Sequence, residues 1–156
     1  MAIRKIREVG EEVLTKECKK VDKMTMRTKI LIQDMFDTMY DAYGVGLAAP
    51  QVGVLKQVIT IDTGDDPIVL INPEIIETEG SQTGEEGCLS LPGKYGIVTR
   101  PSRVKVKALN EDMEEVILEG EGLLARAFCH EIEHLHGLMY MRLAEDGIHD
   151  NENVEE

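Results

Sequence analysis

The chain has 156 residues, 42% of them hydrophobic and 30% charged, the composition of one soluble domain that can bury a core without disulfides. Its net charge of −13 argues against binding a nucleic-acid backbone or an anionic membrane surface, since both need a concentrated Lys/Arg face. Trp is absent and aromatics make up 4%, so the core must rest on Ile, Leu, Val and Met.

Cys18, Cys88 and Cys129 are an odd, widely spaced set that suits a reducing compartment better than a disulfide framework. The first ten residues, MAIRKIREVG, hold no apolar leader, and no stretch approaches the roughly 18 apolar residues of a membrane span. A cytoplasmic location with no membrane contact is therefore expected.

No repeat or linker divides the chain. The expectation is one domain over residues 1–145 and an acidic, frayed tail over 146–156, because the tail offers little to bury. Thr25 to Tyr43 has helical spacing, with Met26, Ile30, Met35 or Phe36, and Met39 on one stripe and Gly44 as the natural stop. A Gly/Ala loop follows from Gly44 to Gly53. Strands are expected at Val58–Asp62, Ile68–Asn72 and Ile75–Thr78. Val104, Val106 and Ala108 alternate with Lys105 and Lys107, which predicts a strand over Arg103–Leu109 that turns at Asn110–Asp112 into Glu115–Leu118. Leu123–His136 reads as a second helix, with Leu124, Ala127, Phe128 and Leu135 on its apolar side and Gly137 as its end. The order of elements predicts an α+β fold: antiparallel or mixed sheets around a C-terminal helix, with an N-terminal helix before them.

That second helix carries His130-Glu131-Ile132-Glu133-His134. At about 100° per residue the two histidines lie about 40° apart around the axis, one turn removed, so both imidazoles can meet one ion. Glu131 sits on the flank of that face, suited to act as a base rather than a ligand. A catalytic metal needs a third protein ligand. His136, Glu145 and His149 lie downstream, the arrangement of a zincin-type peptidase, but His136 points about 200° away from His134. Upstream, Glu86-Gly87-Cys88-Leu89-Ser90 offers Cys88, which could equally be a small buried apolar residue.

Three segments, Gly44-Val45-Gly46-Leu47-Ala48-Ala49-Pro50-Gln51, Glu86-Gly87-Cys88-Leu89-Ser90 and His130-Glu131-Ile132-Glu133-His134, resemble in order and spacing the three signature motifs of peptide deformylases. The resemblance extends over roughly residues 1–145. Two positions depart from the family pattern: Glu133 stands where Asp is usual, and Tyr43 where bacterial relatives often carry an acid. The resemblance implies removal of the N-formyl group from the formyl-methionine of new polypeptides. It implies one divalent metal on Cys88, His130 and His134, with Fe²⁺ as the native ion and Zn²⁺ or Ni²⁺ able to substitute. Glu131 is then the general base toward metal-bound water, and the Gln51 amide and Leu89 N–H face the developing oxyanion. Gly44, Val45, Gly46 and Gly87 would border the substrate backbone, and Val45, Ala127, Phe128 and His130 the methionine side chain. The implied partners are formyl-Met peptides and nascent chains near the ribosome, with no nucleic acid bound. A non-catalytic relative would lack at least one of Gln51, Cys88, Glu131 and the two histidines, and none is missing.

Overall fold

A computed structural model describes residues 2–151. Helix α1 (Met26–Asp41) starts at Thr25, whose side chain accepts from the Thr28 N–H at 3.2 Å, the usual way to satisfy a first-turn donor. Its buried face differs from the expected stripe. Leu31, Ile32, Met35 and Met39 are buried together with Thr28, Asp34 and Thr38, while Met26 and Ile30 are exposed at 70% and 49%. The N-terminal segment decides this. Its Ala2 N–H donates to Asp34 Oδ1 and its Arg4 N–H to Thr38 Oγ1, both at 2.9 Å, so polar side chains on α1 are covered and satisfied. The helix stop also differs. Tyr43, not Gly44, takes the left-handed conformation at φ 57°. The Tyr43 N–H donates to Tyr40 C=O and the Gly44 N–H to Met39 C=O, the paired closing bonds of a Schellman end.

The expected Gly/Ala loop contains a strand, β1 (Gly46–Ala48), and a 3₁₀ turn at Ala49–Val52. Strand β2 (Val58–Ile61) pairs with β1 and with β3 (Ile68–Glu79). The two segments expected over Ile68–Asn72 and Ile75–Thr78 are thus one strand, interrupted by a register shift between Ile71 and Glu74 where Asn72 adopts φ 52°. The Asn72 side chain holds this irregularity by bonding both the N–H and the C=O of Val21. Strands β4 (Gln82–Cys88) and β5 (Leu91–Arg100) follow, then the expected hairpin β6 (Arg103–Leu109) and β7 (Glu115–Glu121). Helix α2 (Gly122–His134) comes directly after β7, and the turn that follows it closes at Gly137, whose φ is 74°.

All strand ladders are antiparallel, in a five-stranded sheet of order β1-β2-β3-β6-β7 and a three-stranded sheet of order β4, β5 and a last strand β8 (Glu145–Asp150). The α+β expectation holds. Helix α2 packs Phe128, Ile132 and Leu135 with Ile59, Ile61, Val104 and Val106, and α1 packs Met35 and Met39 with Leu47, Val58 and Ile71. With both sheet faces covered, β2 is apolar at nearly every position and fully buried.

Strand β8 (Glu145–Asp150) corrects the expectation of a frayed tail from residue 146. It pairs with Lys94–Ile97 of β5, and backbone pairing needs no apolar side chains. Residues 152–156 of that tail lie outside the described residues.

Candidate active site

The site forms where α2 meets the ends of β1 and β4. Strand β4 closes into β5 through the two residues Leu89 and Ser90, with Cys88 opposite Leu91 and a register shift between Glu86 and Cys88. This brings the Cys88 sulfur to 3.3 Å from His134 Nε2, which lies 3.2 Å from His130 Nε2. The donor atoms of Cys88, His130 and His134 all lie within 4.8 Å of one another, and both histidines are buried. His136 is exposed and pairs with Glu17, while Glu145 and His149 stand on β8, with His149 against Tyr95. None of these downstream residues joins the cluster.

Glu86 sets the orientation of His130. Its Oε2 lies 2.6 Å from His130 Nδ1; a carboxylate only accepts, so Nδ1 keeps its proton, and Nε2, which faces His134, is the nitrogen that becomes a free lone-pair donor when the ring is neutral. Arg100 grips the same carboxylate through Nε at 3.1 Å and Nη2 at 2.6 Å, and Arg126 Nη1 donates to it at 2.8 Å. Burial works to raise the Glu86 carboxyl, but the bonds from His130 and Arg100 outweigh it and hold it at about 2. Arg100 also donates to Glu133 Oε2 at 2.7 Å, which Arg142 meets at 2.8 Å. Glu133 is therefore held through Oε2 by two arginines, away from the cluster, while its buried Oε1 has no hydrogen-bond partner among the described residues.

The two facing Nε2 atoms cannot both be protonated. Burial and the charge of His130 push His134 well below its ordinary value. Burial pulls His130 down too, yet Glu131 and the bonds to Cys88 and Glu86 raise it well above. Two imidazole Nε2 atoms and a cysteine sulfur converging at this range suit a divalent cation, which takes the place of the proton between them and accepts all three donors at once. The residues present fit a metal.

Gln51 is buried beside them. Its Oε1 accepts from the Ala48 N–H at 2.9 Å; its Nε2 donates to Ser90 Oγ at 3.0 Å and lies 3.5 Å from the Cys88 sulfur. Glu131 Oε1 is buried and has no hydrogen-bond partner among the described residues. Burial, opposed by His130, raises its carboxyl to about 7. A cleft of about 510 Å³ opens above these groups.

A family model described as polypeptide deformylase matches residues 3–147. The chain belongs to the polypeptide deformylase family. The peptide deformylase of Lachnoclostridium phytofermentans is 57% identical over 159 residues, covering 100% of this chain and 98% of the relative. The crystal structure of the Thermotoga maritima peptide deformylase superposes with a TM-score of 0.90 at 41% identity, covering 93% of this chain and 99% of that one. A Synechococcus elongatus peptide deformylase solved in complex with actinonin gives 0.88 at 42%, covering 90% and 78%. The chain is accordingly an enzyme, a deformylase of a metal-dependent family.

Of the residues singled out in the sequence, Gly44, Val45, Gly46, Gln51, Gly87, Cys88, Leu89, Ala127, His130 and Glu131 line the deformylase cleft, and His134 lies beneath it against Cys88 and His130. Phe128 does not line it. It is fully buried in the core between α2 and the five-stranded sheet, because the buried arc of α2 spans both the sheet and the cleft. Leu123, read only as the start of α2, does line the cleft and is 51% exposed. Gly44 is there for space, since a Cβ on it would fall 2.5 Å from Leu89 Cδ1. Glu86 stood inside a quoted motif, but its grip on His130, and the roles of Arg100, Arg126 and Ser90, left no sequence signal. Their partners lie on other elements.

Proposed function

We propose that this deformylase removes the formyl group from the N-terminal formyl-methionine of newly made polypeptides, with a divalent metal held by Cys88, His130 and His134. The observation that carries this reading is the convergence of these three donors within 4.8 Å, next to Gln51 and Glu131, on the floor of one cleft. When bound, the metal supplies Lewis-acid polarisation and lowers the pKa of water toward roughly 7. Fe²⁺ is the native ion in this reading. Zn²⁺ or Ni²⁺ can replace it, since affinity for N/S donors favours the later metals and availability decides the natural occupant.

Glu131 takes the proton of the attacking water and returns it to the leaving amine; its unpartnered Oε1 and its burial beside His130 support this role. Gln51 Nε2 and the Leu89 N–H donate to the formyl oxygen as negative charge develops, and each such donor contributes about 3 kcal/mol in the transition state. Gln51 is suited to this because its Oε1 is tied to the Ala48 N–H, which aims Nε2 toward Cys88. The peptide lies as an added strand along Gly44-Val45-Gly46 and Gly87. β1 and β4 are each an outer strand of their sheet, and both border the cleft. Val45, Ala127 and Leu123 surround the methionine side chain. The substrates are nascent chains in the cytoplasm, met near the ribosome.

The test is a metal-replete assay on formyl-Met-Ala and acetyl-Met-Ala peptides. An acetyl methyl needs volume where a formyl group has only hydrogen, so acetyl peptides should react at least about 10³-fold more slowly, a difference of about 4 kcal/mol. Comparable rates on both would refute the reading.

A further inference from the structure

Arg126 stands one turn before His130 and two turns before His134, so the three share a face of α2. Its guanidinium is almost buried, with 9% of the side chain exposed, and does two things at once. Nη1 donates to Glu86 Oε1 at 2.8 Å and to the Val98 C=O at 3.1 Å. The same side chain forms part of the cleft wall with Leu123 and Ala127. Glu86 Oε2, the other oxygen of that carboxylate, accepts from His130 Nδ1. Glu86 and Cys88 are alternate residues of β4, so whatever fixes Glu86 against α2 also fixes the approach of Cys88 to His134. Arg100 holds Glu86 from the side of β5 and Glu133. Arg126 is the only cation reaching Glu86 from the cleft wall among the described residues.

We propose that Arg126 is a positioning residue that clamps β4 to α2 through Glu86, holding His130 and Cys88 in the arrangement a metal requires and linking the filling of the side-chain pocket to that arrangement. This rests on the metal reading above. A substrate side chain packing on the cleft wall meets the Arg126 stem, and Glu86 alone, a single carboxylate, joins Arg126 to His130 through hydrogen bonds. Partners in this outer position commonly alter metal affinity or activity by about 10–100-fold.

The test uses Co²⁺ and Zn²⁺ on the full chain, with affinity measured by competition against a chelator and the donor set read from the Co²⁺ visible spectrum. Arg126→Met should fold, bind Co²⁺ about 10–100-fold more weakly and show a shifted spectrum. Arg126→Gln is read in the same way should the methionine variant fail to fold. Arg126→Lys, which restores the charge and one donor, should recover part of the affinity. The unformylated peptide Met-Ala-Ser should perturb the Co²⁺ spectrum of the wild-type chain and lose most of that effect in Arg126→Met. A folded Met or Gln variant with Co²⁺ affinity within about twofold of wild type and an unchanged spectrum overturns the proposal. A wild-type chain whose Co²⁺ spectrum does not depend on Cys88 would instead sink the metal reading itself.

Discussion

Gly46 leaves open the space into which Glu131 packs: a Cβ on Gly46 would lie 2.6 Å from Glu131 Oε2 and 3.0 Å from its Cδ and Cγ. The whole carboxyl group, not only its tip, would have to move. Gly46→Ala should therefore cost activity by displacing the proposed base, by about 10²-fold or more, while leaving metal content unaltered. Steady-state rates together with metal analysis of the purified variant check this. Retained activity would show that Glu131 can work from another rotamer.

Replacing Glu131 itself separates base from ligand. Glu131→Gln preserves shape and should keep the fold and the metal, yet lose about 10²–10⁴ in kcat. Equal losses of metal and rate would make Glu131 a ligand.

Cys88→Ala removes a donor from a site whose other two groups already crowd each other at 3.2 Å. Less than one metal per chain should remain, activity should fall with it, and thermal stability should drop because metal binding couples to folding. Full metal content in this variant would remove Cys88 from the ligand set.

Asp34 ties the N-terminal segment to α1 through the Ala2 N–H and Arg4 Nε, both at 2.9 Å. Burial works to raise its carboxyl, but the bonds from Arg4 and Ala2 prevail and hold it below the ordinary aspartate value. A lowered folded-state pKa means the contribution is fully present above the unfolded value, about 3.9, and is lost as pH falls through the folded one. Asp34→Asn should melt roughly 3–5 °C lower than wild type at pH 7, and the gap should close as the pH falls below about 3.9. A gap independent of pH would mean the carboxylate charge is not what matters.

Strand β8 closes the three-stranded sheet along Lys94–Ile97, with Ile148 opposite Gly96 and His149 against Tyr95. A chain ending at Ala144 exposes that edge of β5, which also carries cleft residues such as Lys94. Its melting temperature should fall by several degrees, measured by circular dichroism. An unaltered melting curve would show that β8 adds nothing to the domain.

Much of this protein is legible in the sequence because its signals are local. The 3.6-residue spacing of α2, the histidines one turn apart and the Lys/Val alternation of β6 each declare themselves within a few residues. The three motifs, taken together, named the family and the cluster of Cys88, His130 and His134. Tertiary structure decided the rest. Strands β4 and β8, rich in Gly, Glu and Asp, carry no apolar alternation and exist through pairing with β5. The buried side of α1 was set by an N-terminal segment some 30 residues away that makes Asp34 and Thr38 interior residues. On α2 nearly every residue from Ala125 to His134 is buried, so periodicity could not tell Phe128, which faces the sheet, from Ala127, which faces the cleft. Gly44 looked like a helix stop because stops favour glycine, yet Tyr43 takes the left-handed turn and Gly44 makes room for Leu89. Glu86 and His130 stand 44 residues apart. A carboxylate and an imidazole carry no mark of their partnership until the chain has folded, because the energy that joins them arises only when both leave water at the same place.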